Sequence, residues 1–256
     1  MPSRRPRSLK HEYELYVEAE IENYKESIPR HVLLGIGDEA VAVLAREAQF
    51  SLTEILLVEE VDRIIFRRLR LPTYETWRRR RLKVAAELRR PERWGLTADA
   101  PIVRTVVPNA DGAVLVTGRG MEKSALYLAA QGCDVLTIGG EESAIARVLS
   151  EAESAGLAQR VHALVGDLAS FTPDAPLRAV VCSLSALASL SKAERGRAID
   201  LLQRATAEGG VHLVEGVSDG RSKRVLDDIV ARYAGWRVTM DSESGNGTLV
   251  AMKEVA

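Results

Sequence analysis

The feature that most constrains this chain is a change of pattern partway along it. From about residue 105, short apolar runs rich in β-branched residues alternate with helical runs. "AVLVTG" precedes "EKSALYLAAQG", and "DVLTIGG" precedes "SAIARVLSEAESAG". "RVHALVGD" leads on to "RAVVCSL", and "KAERGRAIDLLQRATAEGG" precedes "VHLVEGV". Near-continuous apolar runs of this length suit parallel strands buried on both faces. Their alternation with helices predicts a doubly wound α/β sheet. The helix "SKRVLDDIVARYAG" and the strands "WRVTMD" and "TLVAMK" follow, and the turn-rich connector "SESGNG" makes the last two an antiparallel hairpin.

Residues 9–96 are helical throughout, with no strand signal of comparable strength. "YELYVEAEIENYKESI" spaces glutamates around an apolar stripe. "GDEAVAVLAREAQF" follows a Gly-Asp pair that makes Asp38 an N-cap candidate. Ser51 and Thr53 are cap candidates for "SLTEILLVEEVDRIIFRRLRL". Pro72 stops that helix, and Thr73 caps "TYETWRRRRLKVAAELRR". The turn-rich segment "TADAPIVRTVVPNADG" sets the expected boundary: a helical domain over residues 1–104 and an α/β domain over 105–256. No internal repeat or low-complexity tract interrupts either.

With 256 residues, 46% hydrophobic and 28% charged, the chain has ordinary globular composition. A net charge of -1 puts any nucleic-acid or membrane patch in a local segment rather than the whole surface. Cys133 and Cys182 lie at or within apolar runs without ligand-type partners, so they read as small core residues, and no metal site is expected. The opening "MPSRRPRSLK" is basic with no apolar stretch after it, and no apolar run nears the ~18 residues of a membrane span. The expectation is a cytoplasmic protein.

The α/β half resembles the class I S-adenosylmethionine (SAM)-dependent methyltransferases. "GRGMEKSALYLAAQGCDVLTI" looks like the first strand–turn–helix unit of small-molecule methyltransferases of the tellurite-resistance type. "VGDLASF" is similar to their third-strand motif, "AEGGVHLVEG" to the lead-in to strand five, and "YAGWRVTMD" to their C-terminal strand. The resemblance spans roughly residues 111–253. It implies a Rossmann-like sheet of seven strands, mostly parallel, with a C-terminal antiparallel hairpin. It also implies a SAM nucleoside lying over the C-terminal ends of the first strands. Helices appended in the family often cover the pocket and shape acceptor choice, a role open to the N-terminal half.

Carried over residue by residue, the resemblance implies cofactor contacts at Gly118, Gly120, Glu141, Asp167 and Leu168. Gly118 and Gly120 match the first two glycines of the loop. The third falls on Glu122, the acidic position before the loop on Val116, and the ribose-binding acid on Gly139. Asp167 matches the acid that faces the adenine amino group, and Glu141 or Glu142, two or three residues further on, could replace the missing ribose carboxylate only through a rearranged loop. The acid that often opens strand four falls on Arg178. "CSLSALASLS" supplies no His, Asp, Asn or Tyr suited to general-base work, so no catalytic residue is assigned.

Arg78, Arg79, Arg80 and Arg81 form the other marked feature. A helix-turn-helix reading places them against a duplex, with phosphate contacts from Arg63, Arg67, Arg68 and Arg70. Against it, four consecutive arginines span a full helical turn and cannot share one groove. The plainer reading is a solvated basic face, or a clasp on the acidic helices of the same half, with Trp77 anchoring the helix in a core or domain interface. His11, His31, His162 and His212 lack metal spacing and read as surface or structural.

Three readings follow. The first is a divergent SAM-dependent methyltransferase-like protein whose SAM binding is weak or lost. The second is a pseudoenzyme, a non-catalytic scaffold of the same fold for protein interaction or assembly. The third is a nucleic-acid-binding regulator using the arginine-rich helix over residues 73–90. The acceptor or protein partner, including a second copy of the chain, is left open.

Overall fold

The computed structural model describes residues 8–45, 53–107, 112–217, 220–241 and 246–255. The chain divides into two compact units, residues 1–84 and 85–256.

The first unit is helical, and none of its described residues is in a strand. Helix α1 (Leu9–Ser27) is capped by Ser8, whose hydroxyl accepts from His11 N. Helix α2 (Arg30–Leu44) runs straight through Gly35, Gly37 and Asp38, so the start expected at Asp38 is wrong. The helix begins behind Pro29, whose fixed φ suits that place. Each interior glycine costs about 1 kcal/mol relative to Ala. Burial of Ile36 and Ala40 on one face offsets that cost. Helix α3 (Thr53–Leu69) begins at one cap candidate, Thr53; the other, Ser51, lies outside the described residues. Its Ile64 and Ile65 join Ile21 of α1 in the small core. Buried Glu60 is paired with Arg63 one turn on.

Arg70 turns the chain after α3 with a left-handed φ of 50°, and Leu71 N donates to Phe66 O. Helix α4 (Tyr74–Leu88) starts beyond Pro72 with Thr73 as its cap: Thr73 Oγ1 accepts from Thr76 N. Trp77 packs against Tyr13 and Tyr16, with ring centroids 5.6 and 6.2 Å away, so it is the anchor expected of it.

The second unit is built on seven strands: β1 (Ala113–Thr117), β2 (Asp134–Gly139), β3 (Val161–Val165), β4 (Leu177–Ser183), β5 (Thr206–Val217), β6 (Trp236–Asp241) and β7 (Asn246–Lys253). They form one sheet in the order β3-β2-β1-β4-β5-β7-β6. The first five are parallel, and β7 runs antiparallel to both β5 and β6. This is the mostly parallel, Rossmann-like sheet of seven strands with a C-terminal antiparallel hairpin expected from the sequence; the hairpin connector, residues 242–245, lies outside the described residues.

The period-two alternation of each strand divides the core in two. Val114, Val116, Val181 and Leu213 face a cluster with α6 (Glu122–Ala130) and α7 (Glu142–Ser154). Leu115, Val180, Cys182 and Val214 face the other, with α9 (Lys192–Ala205) and α10 (Gly220–Val230). The turn-rich stretch before β1 contains a short helix, α5 (Pro101–Thr105), and its Ile102 is fully buried in the first cluster. Cys133 and Cys182 are buried free thiols, as expected, and burial pushes the Cys182 thiol up to about 12.

In the middle of β5, His212 is fully enclosed. Thr206 Oγ1 lies 2.7 Å from both Leu202 O and His212 Nε2, and Tyr233 Oη lies 2.8 Å from His212 Nδ1. Thr206 has one hydroxyl proton and gives it to Leu202 O. His212 therefore donates from Nε2 to Thr206 and accepts at Nδ1 from the Tyr233 hydroxyl. Burial, then the nearby Lys253 ammonium, holds the imidazole down at about 3. Burial pushes the Tyr233 phenol well above its ordinary range.

Candidate functional site

Ligands of doubly wound sheets bind outside the C-terminal ends of the strands, where the strand order reverses. Here that point lies between β1 and β4. One row crosses the sheet at this end: Val165 on β3, Gly139 on β2, Gly118 just past β1, Ser183 on β4, Glu215 on β5, Thr248 on β7 and Asp241 on β6, with the β5–β7 pairing running two residues further.

On the β1–β2 side, the glycines are explained by the protein itself. Gly118 has φ +105°, and a Cβ there would lie 2.0 Å from Ser183 Oγ and 2.8 Å from Ser183 Cβ. The close approach that excludes a side chain is therefore made by β4. Ser183 is fixed in turn as the N-cap of α8 (Leu184–Ala188), accepting from Ala186 N and bonded to Ser185 Oγ at 2.9 Å. Gly120 has φ +84° and open space where a Cβ would be, so its requirement is conformational. Val116 has no exposed surface and sits in the first core cluster. Gly139 is in contact range of Ile145: a Cβ there would meet its Cδ1 at 3.3 Å. Glu122 opens α6, where the helix dipole favours a carboxylate.

Arg119 and Glu141 join the loops that follow β1 and β2. The Arg119 guanidinium donates to Glu141 Oε1 at 2.8 Å, with both side chains largely exposed. Glu141 is the N-cap residue of α7, but its carboxylate makes no cap hydrogen bond. Asp167, beyond β3, is exposed and uses Oδ1 to accept from Ala169 N, while its carbonyl accepts from Ser170 N and Oγ. Leu168 is only 6% exposed and packs in the second core cluster. The structure thus brings Gly118, Gly120 and Glu141 to one end of the sheet and turns Leu168 into the core.

On the β5–β7 side is a residue that the sequence reading did not single out. Glu215 interrupts the apolar run "VHLVEGV" near the C-terminal end of β5, with Ser183 and Thr248 as its neighbours in register. It is partly buried, and burial raises its carboxyl above the usual range. Among the described residues it has no hydrogen-bond or ion-pair partner. The signal was present as an acid interrupting a strand-five apolar run, but Asp and Glu at strand ends are too common in turns to stand out. Arg178 lies at the opposite end of β4, donating to Glu208 O at 3.2 Å.

In the helical unit, Arg78, Arg79, Arg80 and Arg81 are all exposed. Arg81 Nε lies 3.6 Å from Glu12 of α1, which is the clasp on an acidic helix. His11, His31 and His162 are exposed, and His212 is the buried structural residue described above. Among the described residues no group of three His, Cys, Asp or Glu side chains is placed to hold a metal ion, and no helix is long and apolar enough to cross a membrane.

Comparison with protein-family models finds no match, and comparison with curated proteins finds none. Among solved structures, the chain is similar to the glycopeptide N-methyltransferase MtfA complexed with S-adenosyl-L-homocysteine, at 15% identity over 59% of this chain and 85% of that one, with a TM-score of 0.49. It is similar to the CcbJ methyltransferase from Streptomyces caelestis, at 14% identity over 56% and 84% of the two chains and a TM-score of 0.48. It is also similar to the [4+2]-cyclase SpnF, at 19% identity over 60% and 79% and a TM-score of 0.48. Identities this low leave ligand and reaction to be read from the chain's own residues.

Proposed function

We propose that this chain is a divergent methyltransferase-fold protein whose SAM affinity is weak or lost, and which serves as a non-catalytic scaffold. The observation that carries this reading is Val116: the strand position matching the family's first acidic anchor is wholly inside the apolar core. Gly139, matching the ribose anchor, has no side chain at all. Two absent charge-assisted bonds, each worth roughly 1.5–3 kcal/mol, weaken binding by roughly two to four decades. The Arg119–Glu141 pair adds a smaller obstacle, because Glu141 must leave its partner before it can bond a ribose. The residues present therefore do not fit a SAM nucleoside held in the family's manner. Calorimetric titration with SAM and S-adenosylhomocysteine tests this. Micromolar affinity that disappears in Asp167→Ala overturns the reading.

A second reading, nucleic-acid contact through α4, is favoured by one observation. Arg78, Arg79 and Arg80 are exposed, and among the described residues they have no acidic partner. It requires duplex affinity that falls steeply with salt and drops when the three are changed to Gln. The absence of any mobility shift at low salt rejects it.

A further inference from the structure

We propose that Glu215 and Thr248 form a recognition site for the ammonium group of a small amine, near the C-terminal end of β5 and the N-terminal end of β7 beside it. The two residues are direct partners in the antiparallel ladder, which puts their side chains side by side on one face. Thr248 is 6% exposed and Glu215 is partly buried. Among the described residues neither side chain has a hydrogen-bond or ion-pair partner, and their other row neighbour, Ser183, is already committed to Ser185 and Ala186 N. A carboxylate withdrawn from water is ordinarily paired, because leaving it unpaired costs free energy. Burial already disfavours its charged form. A cation arriving there recovers that cost.

The donor set selects the kind of cation. An ammonium group has three N–H donors and a compact charge, which one carboxylate and one hydroxyl oxygen can share. A calcium ion takes six to eight oxygen ligands and magnesium an octahedron, more than these two side chains supply. The site lies on the edge where this sheet class binds ligands, one strand beyond the reversal point between β1 and β4. It involves neither Gly118 nor Asp167, so it stands whether or not SAM binds.

Amide-detected NMR titration of the whole chain with benzylammonium chloride, and in parallel with benzyl alcohol, tests the proposal. Saturable shifts at the amides of Glu215, Gly216 and Thr248 are expected with the ammonium and not with the neutral alcohol. The near-isosteric Glu215→Gln weakens the response roughly ten- to a hundredfold, the range for losing a charge-assisted bond. Thr248→Val, which keeps the carboxylate, weakens it several-fold and serves if the Gln variant does not fold. Absence of saturation in the wild type, an equal response to the alcohol, or affinity unchanged in both variants overturns the proposal.

Discussion

The Arg119 guanidinium reaches across from the loop after β1 to Glu141 Oε1, 2.8 Å away at the head of α7. With exposures of 85% and 61%, the pair is well solvated. Arg119→Gln should therefore change the unfolding free energy by less than about 1 kcal/mol in a denaturant titration. It should also leave SAM binding weak, because the empty anchor positions at Val116 and Gly139 remain. Micromolar SAM affinity in this variant would show that the pair was the main obstacle.

Gly118 and Gly120 separate packing from conformation. Gly118→Ala drives a methyl into Ser183 and should cost roughly 2–4 kcal/mol, combining overpacking with the positive φ. Gly120→Ala meets only open space and should cost about 1 kcal/mol. Urea unfolding of both variants distinguishes these. Equal losses would refute the role given to Ser183, as would failure of Ser183→Gly to relieve the Gly118→Ala defect.

Restoring the family's acid at Val116 should unfold the protein rather than repair a site. Val116→Asp places a carboxylate among Val114, Val181 and Leu213, where an unpaired charge costs several kcal/mol. A drop in melting temperature of more than about 10 °C is expected. A variant that melts like the wild type and binds SAM would mean that the position faces a cleft.

His212 makes stability depend on pH. Its folded value is about 3, whereas an unfolded chain takes up the proton near the ordinary 6.5. Between these values the unfolded state binds the extra proton, so stability falls as pH is lowered through the window, by up to about 1.4 kcal/mol per unit. The effect is cleanest from pH 6.5 to 5, above most carboxylate titrations. His212→Gln should be less stable at neutral pH and should lose this slope. An unchanged slope would assign the dependence to other groups.

Much of the fold is legible in single runs of residues. "AVLVTG" and "RAVVCSL" form β1 and β4, since a strand buried on both faces has little choice but a continuous apolar run. Thr73 and Pro72 place the start of α4 through local stereochemistry. What escapes depends on neighbours distant in sequence. Gly35 and Gly37 suggest a helix boundary, yet α2 continues because Ile36 and Ala40 are buried. At the candidate site, the two loop glycines are visible in sequence, but the reason for Gly118 is not: Ser183 lies 65 positions on. The Arg119–Glu141 pair requires two loops brought together by β1–β2 pairing. Glu215 gains meaning only when the ladder sets Thr248 beside it.

The row of the sheet that runs through Gly139 and Glu215 has a further consequence. From Gly139 on β2 to Glu215 on β5 is three strand spacings, about 14 Å. That exceeds the Debye length of about 8 Å at physiological ionic strength. The Arg119–Glu141 pair is exposed and has no net charge, so it acts only weakly on the lone carboxylate two strands away on β5. Rewiring that pair while keeping it neutral, by drift or by design, disturbs the β5 end of the row little.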